Sequence, residues 1–270
     1  MKTVSIMGCG WLGLPLAEAL AEKKYQVKGS TTSDDKLKLL KKKGIEPFKI
    51  KLVESSIEGD INNFLESEIL ILNIPPSSIS SEQKEFRELI HLVDESPVSQ
   101  LLFVSSTSVY PNYCGEVVES FGLNLQTTLN GKLFEMEAEL KNMKNTKFTI
   151  VRFGGLIGYE RDPGMFLAGR RKISDPFAPV NLIHRDDCLG ILTSILQKGV
   201  WGEVFNSCAD THPTKKEFYT AAAKRIGLVP PEFERSDKGD YKVINNSKTK
   251  EMLDYSFIVS DLLDFARKGN

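Results

Sequence analysis

Three glycines near the start of the chain have the spacing of a phosphate-binding loop. Gly8, Gly10 and Gly13 form a GxGxxG pattern, with Trp11 and Leu12 before the last glycine, between an apolar run and an amphipathic stretch. In such a loop the first glycine permits a tight turn, the second lets the backbone approach a pyrophosphate, and the third lets helix and strand pack closely. The helix that follows points its N-terminal N–H groups at the phosphates. The pattern therefore predicts dinucleotide binding rather than a simple turn.

The residues after the second predicted strand bear on which dinucleotide binds. An acidic residue at this point commonly binds the ribose hydroxyls of NAD. Here the strand runs into three hydroxyl side chains, those of Ser30, Thr31 and Thr32. Together with Lys36 they suit a 2′-phosphate, which favours NADP as the cofactor. The acidic pair Asp34–Asp35 keeps NAD as the alternative.

Alternating strands and helices surround these residues. Strands are predicted at 3–7, 25–29, 48–52, 69–74, 101–105 and 148–153, and helices at 12–23, 34–43, 81–94 and 131–143. Continuous apolar runs in the strands are typical of strands buried on both faces. The alternation predicts an α/β protein with a Rossmann-type doubly wound parallel sheet. After Gly154 the rhythm becomes irregular. We therefore predict an NAD(P)-binding domain over 1–155, with 178–200 packing back on it, and a smaller α/β C-terminal substrate lobe over 156–270.

Composition excludes several classes of protein. The chain has 35 Lys and Arg against 36 Asp and Glu, and this near-neutral balance argues against a non-specific nucleic-acid binder. No apolar run approaches the ~18 residues of a membrane helix, and the first residues lack the long apolar region of a secretory signal. Four separated cysteines and three histidines argue against disulfides and a metal site. We expect a cytoplasmic globular protein without metal, membrane or nucleic-acid partners.

Hydroxyl side chains end the fifth predicted strand. The carboxyl end of such a strand faces the bound ligand in a doubly wound sheet, so Ser105 is expected to contact the cofactor. The motifs here are GxGxxG, ILNIPPS (Ile71–Ser77), FVSSTSVY (Phe103–Tyr110), VRFGGLIG (Val151–Gly158) and VNLIHRDD (Val180–Asp187). Together, these motifs resemble the extended short-chain dehydrogenase/reductase superfamily, and in particular its NAD-dependent epimerase/dehydratase family. The resemblance runs to about Gly227.

The resemblance implies roles for several residues. Ser106 corresponds to the catalytic Ser/Thr of the family, and Pro75 lies in a loop that lines the cofactor near its adenosine. The family also uses a YxxxK pair, in which the tyrosine is the general acid/base and the lysine lowers its pKa. Members often dimerise through helices that correspond to 81–94 and 131–143, so a homodimer is expected.

The chain departs from the family at the YxxxK pair. If Lys132 is the family lysine, Thr128 occupies the tyrosine position. If Glu137 sets the register instead, leucines occupy both positions. Tyr113, in the loop after the fifth strand, is a candidate substitute acid. We therefore expect the proton to come from Tyr113, Lys132 or water, with Ser106 binding the substrate oxygen.

Two further polar residues have structural interpretations. Arg152 lies within the apolar run of the sixth strand, and a buried guanidinium needs an anionic partner, for which Glu137 is a candidate. His184 in VNLIHRDD is interpreted as a structural hydrogen-bonding residue rather than a catalyst.

Two functions remain open at this point. The first is an NAD(P)-dependent oxidoreductase or epimerase/dehydratase-like enzyme that acts on a small carbonyl, hydroxyl or sugar-nucleotide-type substrate by hydride transfer. The second is a non-catalytic dinucleotide-binding redox sensor or regulatory protein. The hydroxyl-rich strand end and the PPS loop favour the enzyme.

Overall fold

The chain forms two compact units that are interleaved along the sequence. The structure, a computed structural model, describes residues 2–54, 56–234 and 239–269. Unit 1 comprises Met1–Ser105, Asn130–Val151 and Leu192–Val204, and unit 2 comprises Ser106–Leu129, Arg152–Ile191 and Phe205–Asn270. Unit 1 therefore contains the glycine loop, and unit 2 contains Ser106 and Tyr113. The predicted domain boundary at residue 155 stays a prediction.

Seven strands form one sheet. In chain order they are β1 (Thr3–Met7), β2 (Gln26–Thr31), β3 (Glu46–Lys49), β6 (Ile69–Leu72), β7 (Gln100–Ser106), β9 (Lys147–Phe153) and β12 (Val204–Ser207). Their order across the sheet is β12-β9-β7-β6-β1-β2-β3. The pairs that join β7, β6, β1, β2 and β3 are all parallel. The chain order reverses direction beside β1, as it does in a doubly wound Rossmann sheet. This confirms the predicted fold class.

Nine helices occur among the described residues. They are α1 (Gly13–Glu22), α2 (Asp34–Lys42), α3 (Ile61–Leu65), α4 (Lys84–Glu95), α5 (Gly131–Glu139), α6 (Arg185–Lys198), α7 (Lys215–Arg225), α8 (Ser247–Leu253) and α9 (Leu262–Lys268). Helix α4 begins three residues later than predicted because Gln83 adopts a left-handed conformation, with φ of 55°. Helix α5 ends at Glu139 and continues as a short 3-10 turn. In the described part of the chain, no helix has the length and apolar character needed to span a membrane.

The core of unit 1 lies on both faces of its central strands. All four residues of β6 are fully buried, and so are Leu101, Leu102 and Phe103 of β7. This is the burial that continuous apolar runs predict for a parallel sheet covered by helices. A short antiparallel pair, β4 (Lys51–Val53) and β5 (Ser56–Glu58), is an addition that the sequence did not indicate.

Unit 2 contains two short parallel pairs and a helical core. Strand β8 (Gly115–Val117) pairs with β13 (Lys242–Ile244), and β10 (Gly155–Ile157) pairs with β11 (Leu182–His184). Phe218 of α7 and Phe265 of α9 pack into one apolar cluster with Ile157 and Leu182. Strands of three residues are too short to produce a clear sequence period, which explains the irregular rhythm after Gly154.

Candidate functional site

The turn at Gly8 is held by two side chains from neighbouring strands. Its φ is +99°, and a Cβ built on it would lie 2.2 Å from the carbonyl oxygen of Asn73, so only glycine fits. The Gly8 N–H donates to Oγ of Ser30 at 3.1 Å, and the Gly8 carbonyl accepts from Nδ2 of Asn73 at 3.0 Å. Both polar groups of the Gly8 backbone are therefore satisfied by side chains.

The other two glycines of the loop face very different surroundings. A Cβ on Gly13 would lie 2.2 Å from the carbonyl oxygen of Gly8, so helix α1 packs directly against the turn. A Cβ on Gly10 would have no heavy atom of the described residues within 4 Å. The backbone at Gly10 is therefore open to a ligand at the start of α1, where N–H groups favour an anion. These contacts fit the pyrophosphate of a dinucleotide.

The predicted 2′-phosphate residues divide into buried and exposed pairs. Ser30 and Thr31 are buried, and their hydroxyls accept from the N–H groups of Gly8 and Ser33. Thr32 and Lys36 are exposed. The structure therefore uses the first two hydroxyls to shape the strand end and leaves Thr32 and Lys36 facing water. Their predicted contacts with the cofactor stay predictions.

The remaining residues of the glycine loop are largely buried. Leu12 is buried and Trp11 is half-buried. The Cys9 N–H donates to the carbonyl of Ser30 at 2.9 Å. Burial raises the pKa of the Cys9 thiol to about 12, against the opposing effects of its hydrogen bond with Ser30 and the positive charge of Lys36. The positive charge of Lys36 therefore acts on the pKa of Cys9, a residue of the glycine loop.

The loop after β6 is tied to helix α5. Pro75 is exposed and precedes a 3-10 turn, and its carbonyl accepts from the N–H and the hydroxyl of Ser78, at 2.9 and 2.7 Å. Nζ of Lys132 donates to the carbonyl of Ile79. In unit 1, Lys132 therefore holds the loop that begins at Pro75.

The two serines at the end of β7 have separate partners. In unit 1, Ser105 is buried and its hydroxyl donates to Oε1 of the buried Glu137 at 2.5 Å. In unit 2, Oγ of Ser106 accepts from the N–H of Ser108 at 3.1 Å. The hydroxyl proton of Ser106 has no acceptor among the described residues, so it is available to a ligand.

Tyr110 connects several elements of unit 2. It is fully buried, and its hydroxyl donates to Oδ1 of Asn206 at 2.8 Å and accepts from Nη1 of Arg152 at 2.5 Å. Burial raises the pKa of Tyr110, although the neighbouring Arg152 opposes that shift. The phenol therefore stays protonated and serves the packing of unit 2. Arg152 is buried as predicted, while its pairing with Glu137 stays a prediction.

Tyr113, the candidate substitute acid, and Thr128, which occupies the tyrosine position in one register, have different surroundings. Tyr113 is 58% exposed, and its ring packs edge-on against Phe121 at a centroid distance of 5.0 Å. Thr128 donates its hydroxyl hydrogen to the carbonyl of Val109 at 2.5 Å. The catalytic role of Tyr113 stays a prediction.

One polar group beside the backbone of Tyr110 was missed by the sequence reasoning. Nζ of Lys242 donates to the carbonyl of Tyr110 at 2.7 Å, although 132 residues separate the two in sequence. Burial lowers the pKa of Lys242 from 10.5 to about 8. The surrounding sequence carries no recognised motif, so only a signal of long-range contact would have identified this lysine.

The VNLIHRDD motif supplies a clamp for the strand that carries Lys242. The side chain of Asn181 donates from Nδ2 to the carbonyl of Lys242 and accepts at Oδ1 from the N–H of Ile244, each at 2.9 Å. His184 is buried, and its Nδ1 accepts from the N–H of Asp186 at 3.3 Å. This hydrogen bond of His184 is a structural one.

Asp187, in the first turn of α6, anchors a distant segment of unit 2. Its buried carboxylate accepts from the hydroxyl of Tyr255 at 3.0 Å and from the N–H groups of Ile258 and Val259 at 2.6 and 3.0 Å. Burial raises the pKa of Asp187, while these hydrogen bonds oppose the shift. The carboxylate therefore organises the loop before α9.

Comparison with curated proteins reveals a full-length relative. The chain is 33% identical over 270 residues to protein YeeZ of Escherichia coli K12, and the match covers 97% of this chain and 98% of YeeZ. No protein-family model matches the chain.

Solved structures share the fold at lower identity. A conserved protein of unknown function from Silicibacter pomeroyi superposes with a TM-score of 0.79 at 20% identity, covering 98% of this chain and 97% of that one. The UDP-glucuronic acid 4-epimerase of Bacillus cereus, solved with UDP-glucuronic acid and NAD, gives 0.76 at 17% identity, covering 98% and 96%. The fold is therefore that of the NAD-dependent epimerases and dehydratases, as the sequence resemblance predicts.

Proposed function

Because the chain belongs to the family of Escherichia coli YeeZ and has the fold of the NAD-dependent epimerases and dehydratases, we propose that it is an NADP-dependent oxidoreductase. Its substrate is a small carbonyl or hydroxyl compound or a sugar nucleotide. The observation that carries the proposal is the open backbone at Gly10, between two glycines whose Cβ positions are filled by the protein itself. That combination suits a loop shaped for a pyrophosphate.

Unit 1 supplies the groups that hold the cofactor. Gly10 and the first turn of α1 would hold the pyrophosphate, in the loop braced by Ser30 and Asn73. Thr32 and Lys36 would hold the 2′-phosphate of NADP, since both are exposed after β2. The alternative ribose ligand, Asp34, already forms an ion pair with Lys49 at 2.6 Å.

Unit 2 supplies the group that binds the reacting oxygen. When bound, a nicotinamide dinucleotide supplies or accepts a hydride. Ser106 donates its hydroxyl hydrogen to the carbonyl or hydroxyl oxygen of the substrate, while its Oγ is oriented by the N–H of Ser108. A hydroxyl that accepts one hydrogen bond and donates another is held in a defined direction.

Titration with NADPH and with NADH, followed by nicotinamide fluorescence, tests the proposal. We expect micromolar binding of NADPH and weaker binding of NADH. Lys36→Gln should reduce the preference for NADPH about tenfold, since a hydrogen bond between charged groups contributes about 1.5–3 kcal/mol. Lys38→Gln, on the same helix, is the matched control and should leave it unchanged. Binding of neither nucleotide to the folded protein would refute the proposal, and tighter binding of NADH would change the cofactor to NAD.

A further inference from the structure

The two phenols nearest to Ser106 in sequence do not supply an evident proton donor. Tyr110 is buried, and its hydroxyl hydrogen is already donated to Asn206. Tyr113 leaves most of its ring in water and packs against Phe121. A buried phenol whose hydrogen is already donated is a poor acid for an oxygen bound by Ser106, so Tyr110 does not fill that role.

We propose that the ammonium group of Lys242 donates a proton to the substrate oxygen that Ser106 binds. Nζ of Lys242 lies 2.7 Å from the carbonyl of Tyr110, at the end of the turn that Ser106 opens. The N–H of Tyr110 donates to the carbonyl of Thr107 at 3.2 Å, which keeps that turn short. An ammonium has three N–H donors, so two remain for a ligand after the bond to Tyr110. This inference rests on the proposed function.

The backbone of Lys242 is fixed by contacts on both sides. Asn181 brackets the residue by accepting from one peptide N–H and donating to the Lys242 carbonyl. On the other side, β13 pairs with β8 in the register Lys242 to Gly115. The carbonyl of Tyr241 accepts from the N–H groups of Tyr113 and Cys114 at 2.9 and 2.7 Å. The lysine therefore projects from a braced strand rather than from a free loop.

Charged side chains on the segments next to Lys242 and Tyr110 form contacts of their own. Arg152 binds Tyr110, Glu119 binds the N–H of Asn206, Glu116 binds Asn245, and Asp240 accepts from Cys114. Among residues 2–54, 56–234 and 239–269, no carboxylate forms an ion pair with Nζ of Lys242. Half-burial disfavours the ammonium form of Lys242 and brings its pKa to about 8. A donor with a pKa near the working pH transfers protons efficiently.

The chemical step balances with reduced nicotinamide as the only other reactant. The carbonyl carbon of the substrate would gain the hydride from reduced nicotinamide, whose C–H bond would break as its ring is oxidised. The π electron pair of the C=O bond moves to its oxygen. That oxygen forms an O–H bond with a proton from Nζ, and the N–H bond of Lys242 breaks. The neutral amine then regains a proton from water. In the oxidative direction, the neutral amine accepts the proton of the substrate hydroxyl.

The test compares wild type with Lys242→Met, Lys242→Arg and the control Lys216→Met, an exposed lysine of unit 2. First, NADPH titration should give the same affinity in all four proteins. Second, competitive acetylation between pH 6 and 11, read by mass spectrometry, should place the titration midpoint of Lys242 near 8. Third, turnover is measured with NADPH and glyceraldehyde or butane-2,3-dione, and with NADP⁺ and UDP-glucuronic acid.

We expect both Lys242 variants to lose about a hundredfold or more in turnover, because general acid catalysis contributes on this scale. Arginine keeps the positive charge but does not release a proton near neutrality. Low turnover of Lys242→Arg would therefore show that the lysine transfers a proton and does not act through its charge alone. Wild-type carbonyl reduction should fall above pH 8. An acetylation midpoint near 10.5, full activity of Lys242→Arg, or NADPH binding without turnover of any probe would overturn the role of Lys242. Failure to bind either nucleotide would instead overturn the proposed function.

Discussion

The hydroxyl of Ser30 accepts a hydrogen bond from the N–H of Gly8 at 3.1 Å, so a side chain at the end of β2 shapes the loop at the end of β1. We predict that Ser30→Ala lowers the free energy of unfolding by about 1 kcal/mol, because the buried N–H loses its partner. NADPH affinity should fall as well, and denaturant unfolding and fluorescence titration measure the two effects. Ser33→Ala is the control, since the Ser33 side chain makes no cap on α2. Equal effects at both positions would contradict the bracing role.

Substitution of glycine by alanine should have opposite effects at Gly10 and at Gly13. At Gly10 it should weaken cofactor binding, and at Gly13 it should lower stability. Gly10→Ala places its methyl group in open space, so the variant should unfold at the wild-type denaturant concentration but bind NADPH at least tenfold more weakly. Gly13→Ala brings a methyl group to 2.2 Å from the Gly8 carbonyl, so it should lose stability by about 1–3 kcal/mol. Wild-type NADPH affinity in Gly10→Ala would place the ligand elsewhere.

The hydroxyl of Tyr110 should matter for stability, whereas that of Tyr113 should not. Tyr110→Phe leaves Oδ1 of Asn206 and an N–H of Arg152 without their buried partner, which should cost about 1–3 kcal/mol. Tyr113→Phe removes a hydroxyl from a mostly exposed ring and should unfold like wild type. The same pair serves the enzymology, because retained turnover in Tyr113→Phe is expected if Lys242 is the acid. Chemical denaturation and the carbonyl-reduction assay measure these outcomes.

Only one of the four cysteines should react quickly in the folded protein. Cys9, Cys188 and Cys208 are buried, and burial raises their pKa values, so few thiolates form at pH 8. Cys114 is exposed. Iodoacetamide at pH 8 should therefore add one group, at Cys114, as read by mass spectrometry, and all four should react in denaturant. Rapid alkylation of Cys9 in the native protein would show that the glycine loop is open.

Lys242 should make stability depend on pH in a defined window. Its pKa is about 8 in the folded protein and near 10.5 when unfolded, so the unfolded chain holds more protons between these values. The free energy of unfolding therefore rises with pH from about 8 to 10.5, relative to Lys242→Met. Unfolding of both proteins at pH 7, 8, 9 and 10 measures this difference. A constant difference across the window would mean that Lys242 keeps an ordinary pKa.

Local sequence patterns were sufficient for the parallel sheet and the glycine loop. The apolar run at Ile69–Leu72 needs no distant information to indicate a fully buried strand, and each glycine of the loop has its role within a few residues. The start of α7 likewise depends on neighbouring residues, because Thr214 and Glu217 cap it reciprocally. These features depend on short-range geometry, which a single sequence carries.

The contacts that build unit 2 depend on pairs far apart in sequence. Lys242 lies 132 residues from Tyr110, and Asn206 lies 96 residues from it. Strands β8 and β13 have three residues each, too few to show a period. In unit 1, the sequence indicates hydroxyls at Ser30 and Thr31. Only the structure shows that both accept hydrogen bonds from backbone N–H groups. The type of residue was predictable, and its partner was not.

The carboxylate of Asp187 sets an order of events during synthesis of the chain. Its backbone partners lie 71 and 72 residues later, so the buried charge emerges from the ribosome well before the groups that satisfy it. A nascent chain that ends before Ile258 lacks the two N–H groups that make burial of this carboxylate tolerable. We therefore expect unit 2 to reach its native packing only after translation has passed this loop.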